Sequence, residues 1–257
     1  MKVPNKNILS LTIILLLFYC PCFGNDAESE IKKVRDRINE SYFSFDVNVW
    51  KSLLKSSSAL KKTYPNDWRP SYYCGLICHQ IGKILYLPEA DNAYNYFDKS
   101  IDYLIEAKKR NYNAEIAALL SSVYGKKSSL STLKAIYFGI KARDYIYEAN
   151  DMDKSNPKVL LIAAIHLMHT PESFGGDKKW AEELLNRALK LLYKQKREDD
   201  LSVNWANEAE IYAYFAQLEI LKENNDKAKL WIEKSLKLQP DYGFVLYDLI
   251  PQMGKSD

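Results

Sequence analysis

Several residue types are in short supply in this 257-residue chain, and each shortage excludes something. Glycine and proline number nine each, and the alternation of apolar and polar residues that marks half-buried strands is hard to find, so a sheet-based fold has no support. There are three histidines, and no serine or cysteine is placed to join one of them to an acid. Nucleophilic catalysis therefore has no basis, and the chain reads as a non-enzyme with no catalytic residues. Of four cysteines, two lie in the N-terminal apolar stretch, and the two that remain, Cys74 and Cys78, are too few for a disulfide-stapled secreted domain. An excess of one charge is also missing. The 36 Lys and Arg stand against 33 Asp and Glu, which leaves no electrostatic footprint for nucleic acid or an anionic membrane.

The long hydrophobic run lies at the N-terminus. Lys2 and Lys6 frame the start of "ILSLTIILLLFYCPCFG", the layout of an export signal. Its apolar stretch, Leu9 to Cys20, is shorter than the ~20 residues that a spanning helix needs. Gly24 offers a small residue at the cut. Residues 1–24 are therefore expected to leave as a signal peptide, and residues 25–257 to form the folded domain in the periplasm. Lipid attachment at Cys20 is the alternative fate and would tie the chain to the envelope, although Phe18 and Tyr19 are bulky where lipoprotein signals carry small residues. Cleavage leaves Cys74 and Cys78 as the remaining cysteines and lowers the net charge from +3 to +1.

What is present in quantity is helical periodicity and tyrosine. Nineteen tyrosines and five tryptophans suit half-buried, half-wet positions on an extended curved surface. Apolar residues recur at intervals of three and four. A small residue, a large one four later and a small one three further on occur four times: Ala93–Phe97–Ser100, Ala135–Gly139–Ala142, Ala181–Leu185–Ala188 and Ala228–Ile232–Ser235, with Gly139 breaking the large position. Each of these helices follows a partner, at about 69–86, 113–126, 157–169 and 204–223. Each partner carries a small residue near its end, at Gly75, Ser121, Ala164 and Ala216, where two helix axes can approach closely. Pro65, Pro157 and Pro240 mark stops and restarts.

These residues resemble the tetratricopeptide-repeat (TPR) family. In "AKLWIEKSLKLQP", Ala228, Ile232, Ser235 and Pro240 fall at the family's alanine, large, small and proline places, and "AYNYFDKSIDYL" and "AEELLNRALKLL" are nearly as good. The spacing departs from the family's 34-residue unit, and the tryptophan that often opens the first helix lacks a clear counterpart in most units. The resemblance implies an all-α fold, a right-handed α-solenoid of about five helix pairs spanning Ile31 to Pro240, with a closing helix at about 241–250 over the last apolar face. The middle of the chain, around "HTPESFGGDKKWAEELLNRAL", is also similar to exported bacterial repeat proteins with a "TP-x-x-FGG" loop. More loosely, it resembles the helical lipoproteins associated with TRAP-type solute transporters.

The loop Phe174-Gly175-Gly176-Asp177 lacks the Gly-Lys-Ser/Thr frame of a phosphate cradle and a strand before it. With Glu172 it holds too few oxygens for calcium. The expectation is a joint. Thr170 caps a short turn that begins at Pro171, Phe174 tucks into the core, the glycines bend the chain and Asp177 caps the next helix. "CGLICH", Cys74 to His79, has three residues between its cysteines where covalent haem attachment uses two, so the thiols are expected to be packing residues on an inward face. His166 and His169 lie three apart without the further ligands zinc takes. No metal or cofactor is expected.

In a helix-pair array the first helices line a concave groove. Extrapolating the frame places Arg69, Tyr72, His79, Glu115, Ser122, Lys126, Lys158, Met168, His169, Glu210 and Gln217 there, a mixture suited to an extended peptide with aromatic anchors. The expected function is a non-enzymatic, exported scaffold that holds a peptide or partner protein in this groove. The alternative is an accessory to a solute transporter that keeps a small ligand in the array; an enclosed apolar cavity near Tyr72, Met168 and Phe215 would favour it.

Overall fold

The computed structural model describes residues 23–86, 88–194 and 203–253; Cys20 and residues 1–22 of the expected signal peptide lie outside the described residues. The described chain is an all-α solenoid of five stacked helix pairs: α1 (Phe23–Ser41) with α2 (Val47–Thr63), α3 (Arg69–Leu85) with α4 (Ala90–Arg110), α5 (Ala114–Leu130) with α6 (Ala135–Met152), α7 (Pro157–His169) with α8 (Lys178–Lys194), and α9 (Glu208–Leu221) with α10 (Asn225–Leu238). No described helix is long and apolar enough to cross a membrane.

Asparagine and aspartate start these helices. Asp46, Asn113, Asn156 and Asn207 each accept from a backbone N–H in the first turn of α2, α5, α7 and α9. Asp67 accepts from the N–H of Arg69, and Asp177 from that of Trp180. Each such cap satisfies a donor that the helix itself cannot.

The pairs close through small residues. Ser100 Oγ donates to the carbonyl of Gly75 at 2.7 Å, Ser121 Oγ to that of Ala142 at 2.7 Å and Ser235 Oγ to that of Ala209 at 2.8 Å. A Cβ on Gly75 would lie 2.6 Å from Leu104 Cγ, and one on Gly82 2.5 Å from Phe97 Cε1. The axes of α3 and α4 approach at these two positions because no side chain separates them.

Two local expectations need correction. In α6 the buried trio is Ala142–Ile146–Ala149, one heptad beyond the trio read from the sequence; Ala135 and Gly139 are not part of the buried face. The same spacing, starting one heptad on, places a large isoleucine where Gly139 had seemed to break the pattern. The FGG joint also differs in part. Thr170 Oγ1 donates back to the carbonyl of His166 and caps nothing ahead of it, while Phe174 is 70% exposed. The bend itself is as expected. Gly175 has φ +92°, a Cβ on Gly176 would fall 1.7 Å from the carbonyl oxygen of Thr170, and Asp177 caps α8.

The largest difference from expectation is at the C-terminus. Residues 241–244 are followed by a π-helical turn (Val245–Leu249) and the short α11 (Ile250–Met253). This segment does more than cap α10: it reaches back to the first pair. Gly243 N–H donates to the carbonyl of Phe43 at 3.1 Å, the Phe43 and Tyr242 rings meet at 4.7 Å, and Phe45 lies 5.5 Å from Tyr247. A Cβ on Gly243 would sit 2.3 Å from that of Phe45. The ends of the solenoid touch, and a contiguous apolar core runs from Ile31 to Leu249.

Candidate functional site

The inner face is built from three lanes of side chains that pass from one first helix to the next. The first is Tyr72, Glu115 and Lys158, at steps of 43 residues. Lys158 Nζ donates to Glu115 Oε2 at 2.7 Å, and Tyr72 O–H donates to the same oxygen at 3.4 Å. The second lane holds His79 and Ser122, whose Nε2 and Oγ share a hydrogen bond of 3.2 Å. The third runs Lys83, Lys126 and His169, again 43 apart, and then reaches Gln217, whose Oε1 lies 3.2 Å from His169 Nε2.

The chain itself covers much of this face. Trp205, in the turn before α9, is buried over the first lane. Its Nε1–H donates to Tyr72 Oη at 2.8 Å, and Lys158 Nζ lies 5.3 Å from its ring centroid. The neighbouring Ala206 holds φ +59°, a left-handed backbone that a non-glycine residue adopts at a cost. Glu210 secures it: the buried carboxylate accepts from Ala206 N–H at 2.6 Å and from Tyr42 O–H at 2.9 Å. Burial, and after it the Glu210 charge, push the Tyr42 hydroxyl well above its usual pKa; burial and then Glu115 do the same to Tyr72.

Most positions of the groove read from the sequence are therefore covered. Tyr72, His79, Lys158, Met168, Glu210 and Gln217 are buried, and Tyr72, Met168 and Phe215 belong to the apolar core, with Tyr72 also on the wall of a cavity that opens to the surface. Arg69 is held at one end by Asp67 and, at 3.0 Å, by Glu28. Ser122 and Lys126 are half-buried, and His169 is exposed.

At the N-terminal ends of α3, α5 and α7 a cavity of about 780 Å³ opens, lined by Asp67, Arg69, Asn113, Glu115 and Asn156 among others. Each of these five is already engaged in a cap or an ion pair. At the opposite end a cavity of about 640 Å³ lies between Lys83, Tyr86 and Lys126 on one side and Phe45, Phe244 and Tyr247 on the other. Neither lysine makes an ion pair among the described residues. Lys83 Nζ lies 5.7 Å from the Phe244 ring centroid and Lys126 Nζ 5.2 Å from that of Tyr86. Burial, then the charge of Lys83, brings the Lys126 pKa down to about 8, and burial lowers that of Lys83. His79 is lowered too, by burial first and then by the two lysines.

Lys83 was missed in the sequence, and the signal was there: one 43-residue step back from Lys126 lands on it. Phe244 and Tyr247 had no such signal, because they reach the site through the C-terminal return. Cys74 and Cys78 are free, buried thiols, and burial raises the Cys74 pKa to about 11. Among the described residues no three of His, Cys, Asp and Glu gather as a metal-holding group.

No family model matches the sequence, and no curated protein matches it. Among solved structures, the chain is similar to TTC0263, a thermophilic TPR protein of Thermus thermophilus, with TM-score 0.55 and 16% identity over 86% of this chain and 98% of that one. YrrB, described as a TPR protein with an unusual peptide-binding site, aligns at 16% identity and TM-score 0.32, over 88% and 97% of the two chains. The likeness to the thermophilic protein shows that the chain has the tetratricopeptide-repeat fold.

Proposed function

We propose that this chain, built on the tetratricopeptide-repeat fold, is a non-enzymatic scaffold that acts after export and docks a partner protein. Because the inner face is largely taken up by the chain's own residues, the docking surface in this reading is on the outside. The observation that carries it is a stripe along α6. Leu133 in the preceding turn is 98% exposed, and Ile136, Tyr137, Ile140 and Tyr147 on the helix are 70, 55, 44 and 61% exposed. The steps of three, four and seven among these residues are those of one helix face. An apolar stripe of this period, covered by no part of the described chain, suits the apolar face of an amphipathic helix from the partner.

The test is crosslinked capture with the full chain from its own cells, run beside the variants I136D/I140D and K83M/K126M. A partner retained by the lysine variant and lost from the α6 variant is the expected result. Equal capture by all three proteins, or none by wild type, would reject the reading. The second reading, an accessory to a solute transporter that holds a small ligand, is favoured by the cavity beside Lys83 and Lys126.

A further inference from the structure

We propose that the cavity between α3, α5 and the C-terminal return is a binding site for a small organic anion, with a carboxylate or phosphate bridging Lys83 and Lys126 and a flat apolar body against Phe45, Phe244 and Tyr247. This goes beyond the scaffold reading, concerns a different surface and stands whether or not α6 docks a partner.

Three observations support it. The first is the placement of the lysines. They occupy equivalent positions on successive first helices, so stacking of the repeats brings two ammonium groups to one wall of a cavity of about 640 Å³. Lys83 lies in the last turn of α3, where the carbonyl ends of the helix favour a cation.

The second is what the nearby acids do. Asp46 caps α2 through the N–H of Asn48 at 2.8 Å, Asp248 accepts from Gln252 Nε2 at 2.7 Å, and Glu210 holds Tyr42 and Ala206. Asp241 also lines the cavity. None of these four comes within ion-pair distance of either lysine, although Asp248 is near enough to favour the charge on both and Glu210 that on Lys83. Two half-buried like charges, desolvated and unpaired, are what an entering anion would neutralise.

The third is the facing wall. Phe45, Phe244 and Tyr247 present ring surface that buries a flat apolar body while its charged end reaches the lysines, the usual division of labour in a small-molecule pocket. The Gly243 N–H bond to the Phe43 carbonyl holds the segments that carry Phe244 and Phe45 side by side, which keeps these rings together on that wall.

Titration calorimetry on the purified full chain tests this with benzoate, phenyl phosphate, benzamide and a blocked tripeptide bearing a free C-terminal carboxylate. Benzoate or phenyl phosphate should bind, whichever is tighter naming the head group, and benzamide, equal in shape and uncharged, at least tenfold more weakly. K83M and K126M should each weaken the anion about tenfold, the loss of about 1.4 kcal/mol, with helical circular dichroism unchanged. If a variant fails to fold, the benzoate–benzamide contrast on wild type still decides. Equal binding of benzamide, no binding of either aromatic anion at millimolar concentration, or tighter binding of the tripeptide than of both would overturn the proposal.

Discussion

The two ends of the concavity are made from the same helices and differ in how their charges are arranged. At the end where α3, α5 and α7 begin, helix N-termini demand acceptors, and Asp67, Asn113 and Asn156 supply them. The lysine and arginine there are paired as well, Lys158 with Glu115 and Arg69 with Asp67 and Glu28. At the opposite end helix carbonyls favour cations, and Lys83 and Lys126 sit there without a carboxylate in reach. One end is a finished piece of architecture. The other holds charge in excess of what the fold needs, which is where a ligand has something to gain.

The sharpest way to break this contrast is to remove one lysine from each end. K158A takes the partner from Glu115 beneath Trp205 and should cost about 3 kcal/mol in urea denaturation, the scale for breaking a buried pair. K126M should do the opposite, since it removes a desolvated like charge. With one pKa unit worth about 1.4 kcal/mol, and water at the half-buried group reducing the effect, a gain of roughly 1 kcal/mol near neutral pH is expected. Loss of stability in both would mean that the two ends are alike.

A change in the closure comes next in size. G243A forces a Cβ to 2.3 Å from that of Phe45 and should cost about 2 kcal/mol by overpacking. It should also speed exchange of the amide at position 243, while the capped end around Asn113 stays protected.

The smallest effect is in the pH dependence. The folded chain holds Lys126 at about 8 against an ordinary lysine value of 10.5, so between these values the unfolded chain binds the proton that the folded chain releases. Stability should therefore rise with pH across this window in wild type and rise less in K126M. Urea denaturation at a series of pH values reads the difference between the two slopes. The groups that face Lys126 and share in its titration are Lys83, His79, His169 and Asp248, with Glu210 acting on Lys83.

Most of the architecture was legible because repeats state it several times. Three of the four small–large–small trios are buried as read, and Gly75 and Ser121 stand where helix pairs make their closest bonds. The α6 register slipped because a helix with alanine at 135, 142 and 149 offers the same spacing in two places, and only packing chooses between them. The inner-face residues were found by extrapolating the frame, which tells which helix face points inward and nothing of what covers it. Trp205 over Tyr72, and Phe43 against Gly243, join residues 133 and 200 positions apart in the chain.

Local patterns alone determined the helices, their caps and their pairing, because these depend on residues within one or two turns of each other or on a neighbouring repeat. How far the chain's own residues would cover the concavity was decided only by tertiary structure. That outcome rests on contacts between the first and last pairs, and on an unpaired lysine couple that exists because stacking brings positions 83 and 126 together while no acid on the C-terminal return reaches them.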